Sequence, residues 1–119
     1  MKFMLLIHQG DAPTPRDPEA WGRLSADDQQ AVFADYQAIN QTPGVTSGMQ
    51  LAPPDTATTV RVQAGDTLIT DGPFVETKEA LGGYLHFEAD DLDAAIALAA
   101  RIPAARMGGA IEVRPIVEW

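Results

Sequence analysis

Two segments of helical periodicity, each set between strand-like runs, constrain this chain more than anything else in it. Residues 25–41 carry Val32, Phe33, Tyr36 and Ile39 at helical spacing. Residues 90–102 carry Leu92, Ala95, Ile96, Ala99 and Ile102 in the same way. Ser25 with Asp28 reads as a capping pair opening the first helix, and Pro43-Gly44 stops it near residue 41. Asp90 reads as the N-cap of the second, with Asp93 near the positive end of its dipole, and Pro103 breaks or restarts it. The flanking runs are 2–8, 45–51, 83–89 and 111–117, with Pro115 tolerable on an edge strand and Gly48 a weak point. Between the second and third runs, Thr58–Gln63 and Thr67–Thr70 form a hairpin turning at Gly65. The order is β-α-β, an inserted hairpin, then β-α-β. It predicts a single-domain ferredoxin-like α+β sandwich with both helices on one face of the sheet.

The segment 9–22 holds Pro13, Pro15, Pro18 and Gly22 and reads as a loop. Trp21 within it favours a loop packed down on the body. A long proline-stiffened loop beside a core is either a binding wall or lid, or a surface excursion anchored by one aromatic ring.

Composition removes several function classes. A formal net charge of −9 disfavours nucleic acid and anionic membrane surfaces, which call for clustered Lys and Arg. With no cysteine, disulfides and thiolate metal sites are excluded. No apolar run approaches the ~20 residues of a membrane span, and Met1–Ile7 lacks the length and cleavage site of a signal peptide, so a cytoplasmic protein is expected.

Strand alternation divides the sheet into two unlike faces. Phe3, Leu5, Ile7, Leu85, Phe87, Ile111, Val113 and Val117 form an apolar set that should meet the helices. Met4, Leu6, His8, Tyr84, His86, Glu112, Arg114 and Ile116 fall on the other side. That mixed face is too apolar for open water and too polar for plain core. A homodimer packing two such faces together around a lined cavity is the expected solution.

The densest charged group is the loop Asp71-Gly72-Pro73-Phe74-Val75-Glu76-Thr77-Lys78-Glu79. It reads in one of two ways. Asp71 sets a tight turn before Gly72-Pro73, Phe74 plugs the core, and the remaining charges are solvated. Alternatively Asp71 is a general base in a partly desolvated site and Lys78 holds an anionic group. His8 and His86 lie on the mixed face and on strands expected to be neighbours, so they join Asp71 as candidate catalytic groups. With Glu112 they make a conceivable metal site, though no spacing marks a ligand set and a structural histidine is the alternative for each. Gly72, Pro73, Phe74, Glu76, Lys78, Tyr84 and Arg114 are the candidate ligand contacts. No phosphate loop, nucleophile elbow or dinucleotide fingerprint occurs, and no cofactor is expected.

The run Asp71-Gly72-Pro73-Phe74 followed by Glu76, Lys78 and Glu79 resembles the DGPF-domain branch of the YCII-related family. Met4–Ile7, Thr58–Arg61, Leu81-Gly82-Gly83-Tyr84, Ala100–Arg106 and Glu112–Ile116 resemble further segments of that family, so the likeness spans nearly the whole chain. The resemblance implies a ferredoxin-like fold dimerising as an α/β barrel. It also implies a His–Asp site and dehydrochlorinase-like chemistry in part of the family. The histidine of that pair lies early in the first helix, and residues 25–41 here contain none, so only Asp71 has a counterpart. The resemblance further implies a possible link to extracytoplasmic-function sigma factors. Two functions follow as expectations. One is an enzyme that abstracts a proton from, or eliminates a group on, a small molecule in the dimer cavity. The other is a non-catalytic ligand-binding or regulatory module.

Overall fold

The computed structural model describes residues 1–73 and 80–119. The elements run in the order β1 (Lys2–His8), α1 (Pro18–Gly22), α2 (Ala26–Asn40), β2 (Val45–Gln50), β3 (Thr58–Gln63), β4 (Asp66–Asp71), β5 (Leu81–Glu88), α3 (Leu92–Arg101), α4 (Pro103–Arg106) and β6 (Ala110–Pro115). Four strands form an antiparallel sheet in the order β2-β5-β1-β6, and β3-β4 form a separate two-stranded sheet. The fold is α+β, and the strand order is the one that two β-α-β units sharing a sheet produce.

Alternation sorts the sheet as the sequence implies, except that Val117 lies beyond the end of β6 and is exposed instead of meeting the helices. Phe3, Leu5, Ile7, Leu85 and Phe87 are buried and pack in one cluster with Ile39 of α2, with Ala95, Leu98 and Ala99 of α3, and with Ile102 and Ala104. Phe3 pairs with Phe87 and Leu5 with Leu85 across β1 and β5, so the core is stacked in register. Pro115 ends the outer strand β6, where its missing N–H costs no inner ladder bond.

The helices differ from expectation in which ridge turns inward. In α2, Val32 and Ile39 are buried, but Phe33 is 56% exposed. It sits about 90° round the helix from the middle of the Val32–Tyr36–Ile39 stripe. In α3 the buried ridge is Ala95, Leu98 and Ala99, continuing to Ile102, while Ile96 is 51% exposed and Leu92 47%. Ile96 lies about 110° from the centre of that ridge. The α3 cap is Asp91, whose side chain accepts from the Ala94 N–H at 2.8 Å, rather than Asp90. Ser25 caps α2 as expected, accepting from the Asp28 N–H at 3.0 Å.

The segment 9–22 is not all loop. Its last five residues form α1, capped by Asp17 and opened by Pro18, whose fixed φ suits a first helical position. Trp21 does pack down: its ring meets Phe33 edge-on at 5.4 Å, and Gln29 Nε2 donates to the Trp21 carbonyl at 2.9 Å. Gly48 is a weak point of β2 as expected: the register with β5 shifts between Ser47 and Gln50, and the Tyr84 ring lies so close that a Cβ at Gly48 would overlap Tyr84 Cδ2 and Cε2. The β3-β4 turn has positive φ at both Ala64 (49°) and Gly65 (81°), the geometry of a primed two-residue hairpin.

Candidate functional site

Only part of the sequence-nominated site lies within the described residues. Phe74, Glu76 and Lys78 fall outside them. Asp71 ends β4, exposed, opposite Thr58. Among the described residues, the turn beyond it is held by bonds of the Gly72 backbone. The Gly72 N–H donates to the Ala57 carbonyl at 2.6 Å, and the Gly72 carbonyl accepts from Thr59 Oγ1 at 2.8 Å. Gly72 holds φ at 100°, a region that disfavours any residue with a Cβ. Pro73 follows, half-buried.

The two histidines share a face but not a site. His86 pairs with Met4 across β1, whereas His8 lies four residues further along β1 and pairs with Leu81. At strand rise that separation is about 13 Å. His8 Nε2 instead lies 3.2 Å from Glu112 Oε1, and Arg114 Nε lies 3.6 Å from Glu112 Oε2. A chain of His8, Glu112 and Arg114 thus runs along the open face beside the sheet's edge. His86 stands between Met4 of β1 and Thr46 of β2, and its Nδ1 is buried with no hydrogen-bond partner among the described residues. No group of three or more His, Cys, Asp or Glu among the described residues could hold a metal ion.

The best-formed cavity lies elsewhere, on the helix side of the sheet. A cleft of about 300 Å³ opens between α2, the strands β2 and β5, and the segment Ala12–Pro15. Pro13 and Pro15 supply one wall, so the proline-bearing segment lines this cleft and is not a free excursion. Val32, Phe33 and Tyr36 supply the second, and Leu85, Pro103 and Met107 the floor and far side. Of the nominated residues that are described, only Tyr84 lines it.

Its polar groups are few. The Ser47 hydroxyl donates to Asn40 Oδ1 at 2.7 Å, tying β2 to the end of α2. Gln9 Nε2 donates weakly to the Ala12 carbonyl at 3.3 Å, bracing the start of the wall. Gln50 at the end of β2 adds an amide, and Thr14 in the proline wall adds a hydroxyl. Tyr36 is half-buried, and burial pushes its hydroxyl pKa above the usual 10.0, against a smaller opposing pull from the Arg106 guanidinium. It is therefore a neutral hydrogen-bonding group at physiological pH. Sequence reasoning missed Tyr36, Asn40, Ser47 and Gln50 as site residues. Tyr36 carried the one usable signal, a polar tip on an otherwise apolar helix stripe.

Among the described residues, no helix is long and apolar enough to cross a membrane. The family model for the YCII-related domain matches residues 1–119. The chain is also 33% identical, over 122 aligned residues, to an uncharacterised protein of Rhizobium meliloti (strain 1021). That alignment covers 98% of this chain and 92% of the relative. The full-length match to the family model and the near end-to-end likeness of the relative lead to one conclusion: the chain belongs to the YCII-related family.

Proposed function

We propose that this chain is a small-molecule-binding protein whose ligand occupies the cleft between α2, β2, β5 and the Ala12–Pro15 wall. The observation that carries the reading is the cleft itself: about 300 Å³, walled by proline and aromatic side chains, with a handful of convergent polar groups. Those are the usual attributes of a small-ligand pocket. The neutral fluorophore N-phenyl-1-naphthylamine, which brightens in apolar surroundings, tests it. Saturable binding at one site per chain is expected, and Ser47→Trp, placed on an exposed strand position of the cleft wall, should abolish it. Unsaturable binding, or Ser47→Trp binding as wild type does, overturns the reading.

The same proposal has two copies associating through the open sheet face into an α/β barrel. Met4, Leu6, Tyr84 and Ile116 are half-buried there, and the unpartnered His86 Nδ1 supports a contact that supplies a partner. The Asp71-Gly72-Pro73-Phe74 run supports placing the chain in the DGPF branch of its family.

A second reading is an enzyme of proton abstraction or elimination, with Asp71 as base and His8 or His86 as the orienting group. The His8–Glu112–Arg114 chain favours it, since a carboxylate between an imidazole and a guanidinium orients the imidazole. Asp71→Ala separates the two. The enzyme reading expects turnover lost with the melting temperature kept. The binding reading expects N-phenyl-1-naphthylamine affinity unchanged.

A further inference from the structure

The cleft is unlike the rest of the molecule in one respect. Lys, Arg, Asp and Glu make up 21% of the chain, and the formal net charge is −9. Yet no Lys, Arg, Asp, Glu or His is among the described residues that line the cleft. Charged residues flank the cleft without lining it: Arg16 and Asp17 line an adjoining hollow beside Gln9 and Gly82, and Asp35 and Arg106, next to Tyr36 and Met107, are paired with each other at 2.6 Å. What the cleft offers is amide and hydroxyl groups: Gln9, Asn40 and Gln50, with Thr14, Tyr36 and Ser47. Burial keeps Tyr36 in its uncharged form, and its hydroxyl has no hydrogen-bond partner among the described residues.

An ion drawn into such a site loses its hydration and meets no charged side chain on the described lining, only a nearby guanidinium already paired with Asp35. A neutral donor or acceptor loses far less and is met by amides and hydroxyls. Discrimination of this kind rests on what the wall lacks, and it rejects a charged analogue even when the analogue's body fits.

Building on the binding reading above, we infer that the ligand of this cleft is an uncharged molecule. It has an apolar, ring-sized body held between Phe33 and the proline wall, and it carries neutral hydrogen-bonding groups that meet Tyr36, Asn40 and Gln50. Carboxylates, phosphate esters and amines are excluded as ligands of this site.

A matched pair of probes tests the inference. N-phenyl-1-naphthylamine and 8-anilinonaphthalene-1-sulfonate share one anilinonaphthalene body, and the second adds a sulfonate. Titrated into the full chain at about 0.15 M salt, where exposed charges are screened beyond about 8 Å, the neutral probe should bind at least tenfold more tightly. Met49→Lys puts a cation on an exposed position of the cleft wall. It should tighten the sulfonate about tenfold and leave the neutral probe within about twofold. Gln63→Lys, at the far hairpin, makes the same change in net charge away from the cleft and should alter neither. Equal affinity of wild type for the two probes overturns the inference while leaving the cleft a binding site. An equal gain in Gln63→Lys overturns it too, since the net charge and not the lining would then be selecting. Failure of both probes to bind removes the binding reading itself, and the inference with it.

Discussion

Tyr36 bears on both stability and binding. Its hydroxyl is held neutral by burial, with its pKa raised above 10.0. The unfolded chain therefore releases this proton from about pH 10 upward while the folded chain keeps it. Stability from this group is whole below pH 10 and is lost as pH rises through the folded-state value, by up to about 1.4 kcal/mol per pH unit. Tyr36→Phe has no such proton. In urea unfolding from pH 8 to pH 11, the variant's stability relative to wild type should climb above pH 10, and a constant difference across the range would refute the assignment. Ala64 is the other residue whose backbone decides something. It is the only described non-glycine residue with positive φ. Asn tolerates that conformation better than Ala, so Ala64→Asn should relieve about 0.5–1 kcal/mol. The hairpin's ladder amides should then exchange roughly 2–5-fold more slowly, read by hydrogen exchange.

Among the elements, α3 separates two adjacent aspartates. Asp91 caps the helix through the Ala94 N–H, and Asp90 makes no cap bond. Asp91→Ala should cost about 1 kcal/mol by chemical denaturation, and Asp90→Ala a few tenths at most. Equal costs would place the helix start one residue earlier. The β3-β4 hairpin poses a different problem. All of its residues but Thr59 are exposed, including Val60, Val62, Leu68 and Ile69. A two-stranded ribbon is marginal alone in water. The Gly72–Ala57 and Gly72–Thr59 bonds close its base. Gly72 thus fastens this hairpin.

The whole molecule is flat, 51 × 42 × 18 Å along its principal axes. Its Cα radius of gyration is 16.2 Å, against about 13.5 Å for a compact chain of this length. One sheet face is covered by helices and the other is open. The proposed dimer closes that face. Light scattering at micromolar concentration should return twice the 12.7 kDa of one chain. Leu6→Glu, on the open face, should return one chain's mass with the circular dichroism unchanged. A monomeric wild type would refute the association. The core on the covered side answers to ordinary packing: Ile39, fully buried, should cost about 2–5 kcal/mol when cut to Ala.

The sequence by itself determined the six strands and the two long helices in their order, while α1 lay within a segment that read as loop. Caps, turns and period-2 alternation are local, and each is written in a few adjacent residues: Ser25 to Asp28, Gly65 in its turn, Leu85 and Phe87 against Tyr84 and His86. Where two local solutions were equivalent, as with Asp90 and Asp91, or Ile96 and Leu98, the choice fell to packing against the sheet. The candidate site was less legible. Loop charge drew attention to Asp71, which stands exposed at a strand end, and a shared face drew the histidines together although they sit at separate rungs. The cleft is assembled from residues 9–15, 32–40, 47–50 and 82–85, with Pro103, Ala104 and Met107 from beyond α3. No local pattern links those segments. Only the tertiary structure decided that they enclose one neutral pocket, because the strand order β2-β5-β1 and the seating of α2 on the sheet are settled by burial across the whole chain.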